Sequence, residues 1–303
     1  MSTDERYTSS KQIQWFPGHM AKTKRLISEN LKNVDIIIEI LDARIPYSSR
    51  NPMISKLCAN KPVIILLNKA SLADPDITKY WSDKYTNQNT VCIETDCITG
   101  KGINNIPVAI KKLLSGKIEK YDSKGMGGRS VKAMVVGVPN VGKSSLINKI
   151  CGNKKAKVEN RPGVTVDKQW VATNIGILLL DMPGILWPKF EDRYVGENLA
   201  ITGAIKDDIL DVESIATALV ARLRRAYPKQ LCERYKLDSI EKYEDLSDYD
   251  LLLAIGRKRG CLISGGEVDS ERVANLLIDE YRAAKIGKIS LDGRFDIPED
   301  ANA

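Results

Sequence analysis

The sequence predicts an α/β fold, a three-layer arrangement around a mostly parallel sheet, followed by a smaller all-α C-terminal part. Three observations lead there. Residues 34–41 (VDIIIEIL) and 62–67 (PVIILL) are short and almost continuously apolar, as strands covered on both faces are. Strand-like and helix-like segments alternate through the first half of the chain, the pattern of a sheet flanked by helices. From about Glu197 onward the sequence reads as helix, with no convincing strand.

Between the two apolar strands, 51–60 has helical character. Tyr80–Tyr85 reads as a helix, Thr90–Ile93 as a short strand, and Ile103–Leu114 as an amphipathic helix with Ile103, Ile106, Ile110, Leu113 and Leu114 on one face. Residues 115–130 (SGKIEKYDSKGMGGRS), polar and with four glycines, break the pattern and are expected to form a linker or mobile loop. Strand character returns at 131–136 (VKAMVV), followed by a glycine-bounded loop and a helix from about Lys143. Lys168–Thr173 and Ile175–Leu180 form an expected strand pair ending at Asp181. This places an N-terminal extension at 1–14, an α/β domain at 15–205, a helical domain at 206–290 and an acidic tail at 291–303. The tail, with Asp292, Asp296, Glu299 and Asp300, is expected to be a disordered terminus.

Composition narrows the function. The 303 residues carry 46 Lys+Arg against 39 Asp+Glu, a formal charge of +7, with 43% hydrophobic and 28% charged residues, which is ordinary globular usage and excludes a wholly disordered chain. No run approaches the ~18 apolar residues of a membrane span, and MSTDERYTSSKQ lacks the apolar segment of a signal peptide. No membrane partner is expected. Six cysteines (Cys58, Cys92, Cys97, Cys151, Cys232, Cys261) show no C-x-x-C spacing, and His19 is the single histidine. A reducing, cytoplasmic setting is therefore expected, rather than a zinc site built from Cys and His pairs or a disulfide framework.

The strongest chemical motif is Gly137-Val-Pro-Asn140-Val141-Gly142-Lys143-Ser144, followed by Ser145. It matches G-x-x-x-x-G-K-[ST] between an expected strand and helix. Backbone N–H groups of such a loop converge on phosphate oxygens, Lys143 reaches the β and γ phosphates, and the Ser144 hydroxyl can ligate Mg²⁺. Asp181-Met-Pro-Gly184 ends an apolar strand downstream; its carboxylate can hold Mg²⁺ and the Gly184 N–H can touch the γ-phosphate. Between them, Arg161-Pro-Gly-Val-Thr165 offers a threonine that can complete the Mg²⁺ shell. Phosphate loop, Thr165 and Asp181 in this order follow the logic of a nucleotide switch.

Asn68-Lys69-Ala70-Ser71 follows the apolar strand 62–67 and resembles the N-K-x-D guanine-reading motif of GTPases, and Thr95-Asp96-Cys97 can be the second base-contacting loop. Both precede the phosphate loop instead of following it. That order is the signature of a circular permutation, in which old termini are joined and new ones cut within one unchanged fold.

With Trp15-Phe-Pro-Gly-His19-Met-Ala-Lys22, Asp42-Ala-Arg44-Ile-Pro46, Asn68-Lys69, Pro139-Asn-Val-Gly-Lys-Ser-Ser145, Arg161-Pro-Gly-Val-Thr165 and Asp181-Met-Pro-Gly-Ile-Leu-Trp-Pro188 in place, the chain resembles the bacterial circularly permuted ribosome-assembly GTPases, relatives of the mitochondrial ribosome-assembly GTPases. The resemblance covers about residues 12–290. It implies a circularly permuted P-loop GTPase that binds GTP and GDP, uses Mg²⁺ and acts late in assembly of the large (50S) ribosomal subunit. In that setting the pre-50S particle and ribosomal RNA would be bound in the GTP state and released on hydrolysis. Asn140 resembles the residue that binds K⁺ in potassium-stimulated GTPases. Two departures stand out. Ser71 replaces the usual Asp, which implies weaker guanine recognition, with Asn68, Lys69 stacking on the base and the Asp96–Cys97 loop expected to retain a preference for GTP. Ile185 occupies the place where many GTPases put a water-orienting Gln. His19 is then the candidate catalytic group, orienting water or stabilising developing phosphate charge; capping its helix or contacting ribosomal RNA are the alternatives. The Asp42–Arg44 pair reads best as a salt-bridged strand end.

Basic side chains concentrate in the helical part. Arg222, Arg224, Arg225, Lys229, Arg234 and Lys236 face one acid, Glu233, and Arg257-Lys258-Arg259 form a second cluster. These can neutralise RNA phosphates, with Tyr227 and Tyr235 available to stack on unpaired bases. Lys11, Lys22, Lys24, Arg25 and Lys32 mark a second basic surface near the N-terminus. The alternative function is a nucleotide-gated switch that binds a protein and does not act on ribosomes.

Overall fold

The computed structural model describes residues 18–125, 128–152, 170–186, 190, 192–205 and 211–293, with side chains in the first helix from Thr23 onward. Helix α1 (Gly18–Asn30) leads into strand β1 (Ile36–Asp42), α2 (Pro52–Cys58), β2 (Val63–Asn68), α3 (Pro75–Tyr85), β3 (Thr90–Glu94) and α4 (Ile106–Asp122). Then come β4 (Val131–Val136), α5 (Lys143–Cys151), β5 (Trp170–Ala172), β6 (Ile177–Asp181) and α6 (Arg193–Ile201). The remaining elements are helical: α7 (Val212–Ala226), α8 (Pro228–Tyr235), α9 (Asp248–Arg259) and α10 (Ser270–Arg282).

The strands form one six-stranded sheet in the order β3-β2-β1-β4-β6-β5, parallel throughout except for the antiparallel β5–β6 pair. The expected alternation and the strand pair ending at Asp181 are both present. Side chains alternate across the sheet, as the two-residue period of a strand requires. Ile37, Met134 and Val136 pack under α1 and α2 with Ile27, Ile54 and Cys58. Leu41, Ile65 and Leu67 pack under α3 with Trp81 and Tyr85. On the other face Ile36, Ile38, Ile64, Leu66, Ala133 and Val135 meet Ile110 of α4 and Leu146 and Ile150 of α5. Each such buried side chain contributes about 1.5–3 kcal/mol, so burial on both faces, more than strand propensity, holds the sheet together.

The apolar cluster on this other face does not stop at the sheet. It continues through Leu199 and Ile201 of α6 into Leu219, Val220 and Leu223 of α7, Leu252 and Ile255 of α9 and Leu277 of α10. Capping residues set the helix ends: Asp74 before Pro75, Asp211 before α7, Ser247 before α9 and Asp269 before α10 each accept a backbone N–H of the first turn.

Two expectations are corrected here. Helix α4 runs on to Asp122, through the first half of the segment read as linker, because Ile118 continues its apolar face against the core. The expected disordered tail is ordered at its start. Leu291 and Asp292 are buried, and the Leu291 N–H donates to the Arg44 carbonyl at 2.7 Å. Asp292 accepts from the Ser48 N–H at 2.7 Å, the Ser48 hydroxyl at 2.6 Å and Asn198 Nδ2 at 2.9 Å, while Trp81 Nε1 donates to its carbonyl at 3.0 Å. Asp296, Glu299 and Asp300 lie outside the described residues.

Candidate nucleotide-binding site

The phosphate loop, the D-x-x-G turn and the base-reading loops sit at one edge of the sheet, because parallel strands deliver their C-terminal ends to the same side. β1 ends at Asp42, β2 at Asn68, β3 at Glu94, β4 at Val136 and β6 at Asp181. The chain moves outward from β1 to β3, then reverses to β4 on the other side of β1, and open α/β sheets bind ligands at such a switch point.

The phosphate loop spans this reversal and ends at the N-terminus of α5, where unpaired N–H groups and the helix dipole favour anions. Two glycines are sterically required. A Cβ on Gly137 would lie 2.5 Å from the Ile40 carbonyl oxygen of β1. At Gly142, with φ +107°, it would lie 2.2 Å from Asn68 Nδ2. Lys143 folds over the loop, Nζ donating to the Gly137 and Val138 carbonyls at 3.2 and 3.0 Å. Burial pushes its amine down to about 8, with the Asp181 carboxylate opposing. Phosphate charge would restore the cation. Asn140, at φ +58°, donates from Nδ2 to the Gly203 carbonyl at 2.6 Å. This bond joins the phosphate loop to the turn after α6.

The base-reading end is built by β2 and β3. Asn68 Nδ2 donates to the Val141 carbonyl at 2.6 Å, while its Oδ1 accepts the Cys97 N–H at 2.9 Å. One amide thereby ties the phosphate loop to the β3 loop across the permuted connection. Lys69 adopts a left-handed backbone, φ +61°, and its ammonium pairs with Asp42 Oδ2 at 2.9 Å. Asp42 also holds Arg44 in a bidentate pair at 2.9 and 2.7 Å, both side chains buried. The salt-bridged strand end expected for these two is therefore present, and it also anchors Lys69. Asp96 Oδ1 accepts the Ile98 and Thr99 N–H groups at 3.0 and 2.9 Å, and its Oδ2 accepts the Ser71 hydroxyl. Burial favours the neutral acid, but the bonds from Ser71, Thr99 and Ile98 outweigh it and hold Asp96 below its ordinary value.

Ser144 and Ser145 are exposed at the start of α5, and Asp181 is exposed at the end of β6. Hydroxyl and carboxylate oxygens are the hard donors that Mg²⁺ takes, usually alongside substrate phosphates. Among the described residues no cluster of three or more His, Cys, Asp or Glu offers an alternative metal site. Gly184 packs against Pro139 and Lys143, which brings the D-x-x-G turn onto the phosphate loop. Ile185 is buried with Met182 and Leu180, its N–H bonded to the Gly137 carbonyl at 3.2 Å, so it fills core and cannot orient water. His19 belongs to the first turn of α1, with its side chain outside the described residues, as are Thr165 and the whole of 153–169.

The basic clusters divide. Arg222 donates to Ala218 O and to Glu197 at 2.8 Å each and lies over the Tyr194 ring. Arg224 donates to the carbonyls of Tyr243, Glu244 and Leu246 at 2.8, 2.7 and 2.8 Å. Arg259 and Arg234 share Glu280 at 2.9 and 2.5 Å. Arg225, Lys229, Arg257 and Lys258 are exposed. The expectation that Tyr227 and Tyr235 stack on bases is corrected: both rings are buried, Tyr227 bonding Ser290 O at 3.0 Å and Tyr235 bonding Glu280 at 3.0 Å. An aromatic between basic residues looks the same in sequence whether its face points out or into the core. Sequence reasoning also missed Gly203, Asp292 and the role of Asp42 toward Lys69, for which spacing held no signal.

A strand-to-helix phosphate loop, a D-x-x-G turn packed on it and base-reading loops that precede both in the chain define a circularly permuted P-loop GTPase, an enzyme that binds GTP and GDP and hydrolyses GTP. A family model described as 50S ribosome-binding GTPase matches residues 132–245, the part of the chain where the phosphate elements lie. The chain is similar to ribosome biogenesis GTPase A of Priestia megaterium, 48% identical over 290 residues, covering 95% of this chain and 98% of the relative. It is 32% identical over 300 residues to mitochondrial ribosome-associated GTPase 1 of Mus musculus, covering 92% of this chain and 90% of that one. Its fold matches a GNP-bound crystal structure of YlqF from T. maritima with a TM-score of 0.61 at 29% identity, over 91% of this chain and 100% of the other. The chain belongs to the ribosome biogenesis GTPase A family, as the ordered motifs implied, and is a GTPase of ribosome biogenesis. GTPases of this class use Mg²⁺, and no helix among the described residues is long and apolar enough to cross a membrane.

Proposed function

We propose that this GTPase acts in the cytoplasm at a late step of large-subunit assembly, binding the pre-50S particle and its RNA in the GTP state and leaving after hydrolysis. The observation that carries the switch is the 2.6 Å bond from Asn140 of the phosphate loop to Gly203 after α6. Arg282 of α10 donates to the Ala200 and Ile201 carbonyls at 3.0 and 2.9 Å, so a shift in the phosphate loop has a direct route into the helical part. The family model's description as a 50S ribosome-binding GTPase supports the large subunit as the partner.

In this reading residues 15–205 are the GTPase unit and 206–290 the RNA-facing unit. Asn68, Ser71, Asp96 and Cys97 build the base pocket and Lys69 flanks the base, while Asn140, Val141, Gly142, Lys143, Ser144, Ser145 and Gly184 surround the phosphates. Ser144, Thr165 and Asp181 hold Mg²⁺, and Asn140 Oδ1, left over when Nδ2 bonds Gly203, faces a K⁺ ion. His19 orients the attacking water. The phosphate-binding face of the helical part is drawn from the exposed Arg225, Lys229, Arg257 and Lys258. Binding energy from the particle positions the switch loops, so large subunits stimulate turnover.

Phosphate release from GTP and from ATP, each with and without purified large subunits in K⁺ buffer, tests this. Stimulation confined to GTP with large subunits is expected. Equal rates with small subunits or bulk RNA would overturn it in favour of a switch with a protein partner.

A further inference from the structure

Ser71 stands where a guanine-reading carboxylate is usual, yet a carboxylate is present one hydrogen bond away. Asp96, on the loop after β3, is only 5% exposed, and each of its oxygens has a donor. Oδ1 takes the Ile98 and Thr99 N–H groups, and Oδ2 takes the Ser71 hydroxyl. Ser71 itself is exposed, in the turn closed by the Leu72 N–H to Lys69 carbonyl bond at 2.9 Å. A serine hydroxyl has one proton and two lone pairs. An ionised carboxylate has no proton to give, so Ser71 must donate its own.

We propose that Asp96 is the specificity-positioning residue of the base pocket: by taking the only Ser71 hydroxyl proton, it makes Ser71 Oγ a pure acceptor toward the base. The inference rests on reading the ends of β2 and β3 as the base pocket. Guanine presents N1–H and an exocyclic amine, both donors, and an acceptor-only oxygen satisfies them. Adenine presents N1 as an acceptor, which meets lone pairs and is repelled. Selectivity thus survives loss of the direct carboxylate, because the charge acts through the hydroxyl. The arrangement inverts the familiar one, placing Ser on the base side and Asp behind it.

The discriminating variant is Asp96→Asn. Its amide oxygen can still accept from Ile98 and Thr99, but its NH₂ now donates to Ser71 and turns the hydroxyl proton toward the base. Displacement of a fluorescent GDP from the full chain by GTP, ITP and ATP reads the outcome. The GTP-to-ATP affinity ratio is expected to fall by about tenfold, and Ser71→Ala to weaken GTP by about fivefold with ATP unchanged. The exchange Ser71→Asp with Asp96→Ser restores a directly facing carboxylate and is expected to hold the parent ratio, whereas Ser71→Asp alone, with two carboxylates in contact, is expected to lower it. A Ser71→Ala variant that weakens GTP and ITP equally places the contact at N1–H; a larger loss for GTP places it at the amine, and both agree with the proposal. An unchanged ratio in Asp96→Asn, in a chain where Lys143→Ala abolishes binding, overturns the inference and leaves the phosphate site standing. If Lys143→Ala binds all three nucleotides normally, the site itself is misplaced and the inference falls with it.

Discussion

Lys143 gives the nucleotide site a proton-linked signature. Its amine is packed over the phosphate loop against the Gly137 and Val138 carbonyls, and burial lowers its pKa to about 8 from an ordinary 10.5. With this pKa the amine is about nine-tenths charged at pH 7 and about one-quarter charged at pH 8.5. A bound diphosphate supplies the anion that the free loop lacks and returns the amine to full charge. Binding therefore takes up about one-tenth of a proton at pH 7 and about three-quarters at pH 8.5, and affinity drops about fourfold between the two. Calorimetry of Mg-GDP binding in two buffers of different ionisation enthalpy measures the uptake directly. The Lys143→Arg variant, permanently charged, is expected to lose the linkage whatever its affinity. Equal affinity at both pH values, with no buffer-dependent heat, would refute the reasoning.

His19→Ala should lower turnover with large subunits at least about tenfold, a floor below the roughly 10²–10⁴-fold typical of general acid–base groups, while leaving GTP binding intact; unchanged turnover removes His19 from the catalytic role. Replacing K⁺ by Na⁺ should slow hydrolysis, and Asn140→Ala should abolish the difference, read as phosphate release in matched salts. Asp292 is buried and its pKa is raised to about 6 by burial, against the bonds from Ser48 and Asn198. A raised acid stabilises the fold below its unfolded value and loses that contribution as pH climbs through about 6. The stability gap between the parent and Asp292→Ala should therefore widen by about 1.3 kcal/mol from pH 7 to pH 5, measured by urea unfolding. Arg257→Ala with Lys258→Ala should weaken large-subunit binding and flatten its salt dependence by up to about two charges, whereas intact salt dependence would place the RNA face elsewhere.

Much of the site was legible because its signals are local. A phosphate loop is a run of consecutive residues whose glycines are demanded by the turn itself, and the β1 and β2 strands announce their two-sided burial by continuous apolar residues. The order of the motifs was also readable along the chain, and with it the permutation. Other features were legible only in part. The basic runs were visible, but their partners were not: Arg224 caps the carbonyls of Tyr243, Glu244 and Leu246, some twenty residues away, and Arg222 reaches back to Glu197. A charge count registers the cation and is blind to the acceptor that folding brings to it.

The sequence by itself determined the α/β class, the permuted motif order, the phosphate loop and the GTPase chemistry, since each is carried by runs of consecutive residues and by their order along the chain. Tertiary structure decided which groups meet. Asp96 takes the Ser71 proton across 25 positions, Asn140 reaches Gly203 across 63, and Asp292 returns to Ser48 across 244. No periodicity encodes these pairs. They exist because a parallel sheet gathers distant strand ends at one edge, and because packing against that sheet draws a helical segment and the acidic residue behind it into the core.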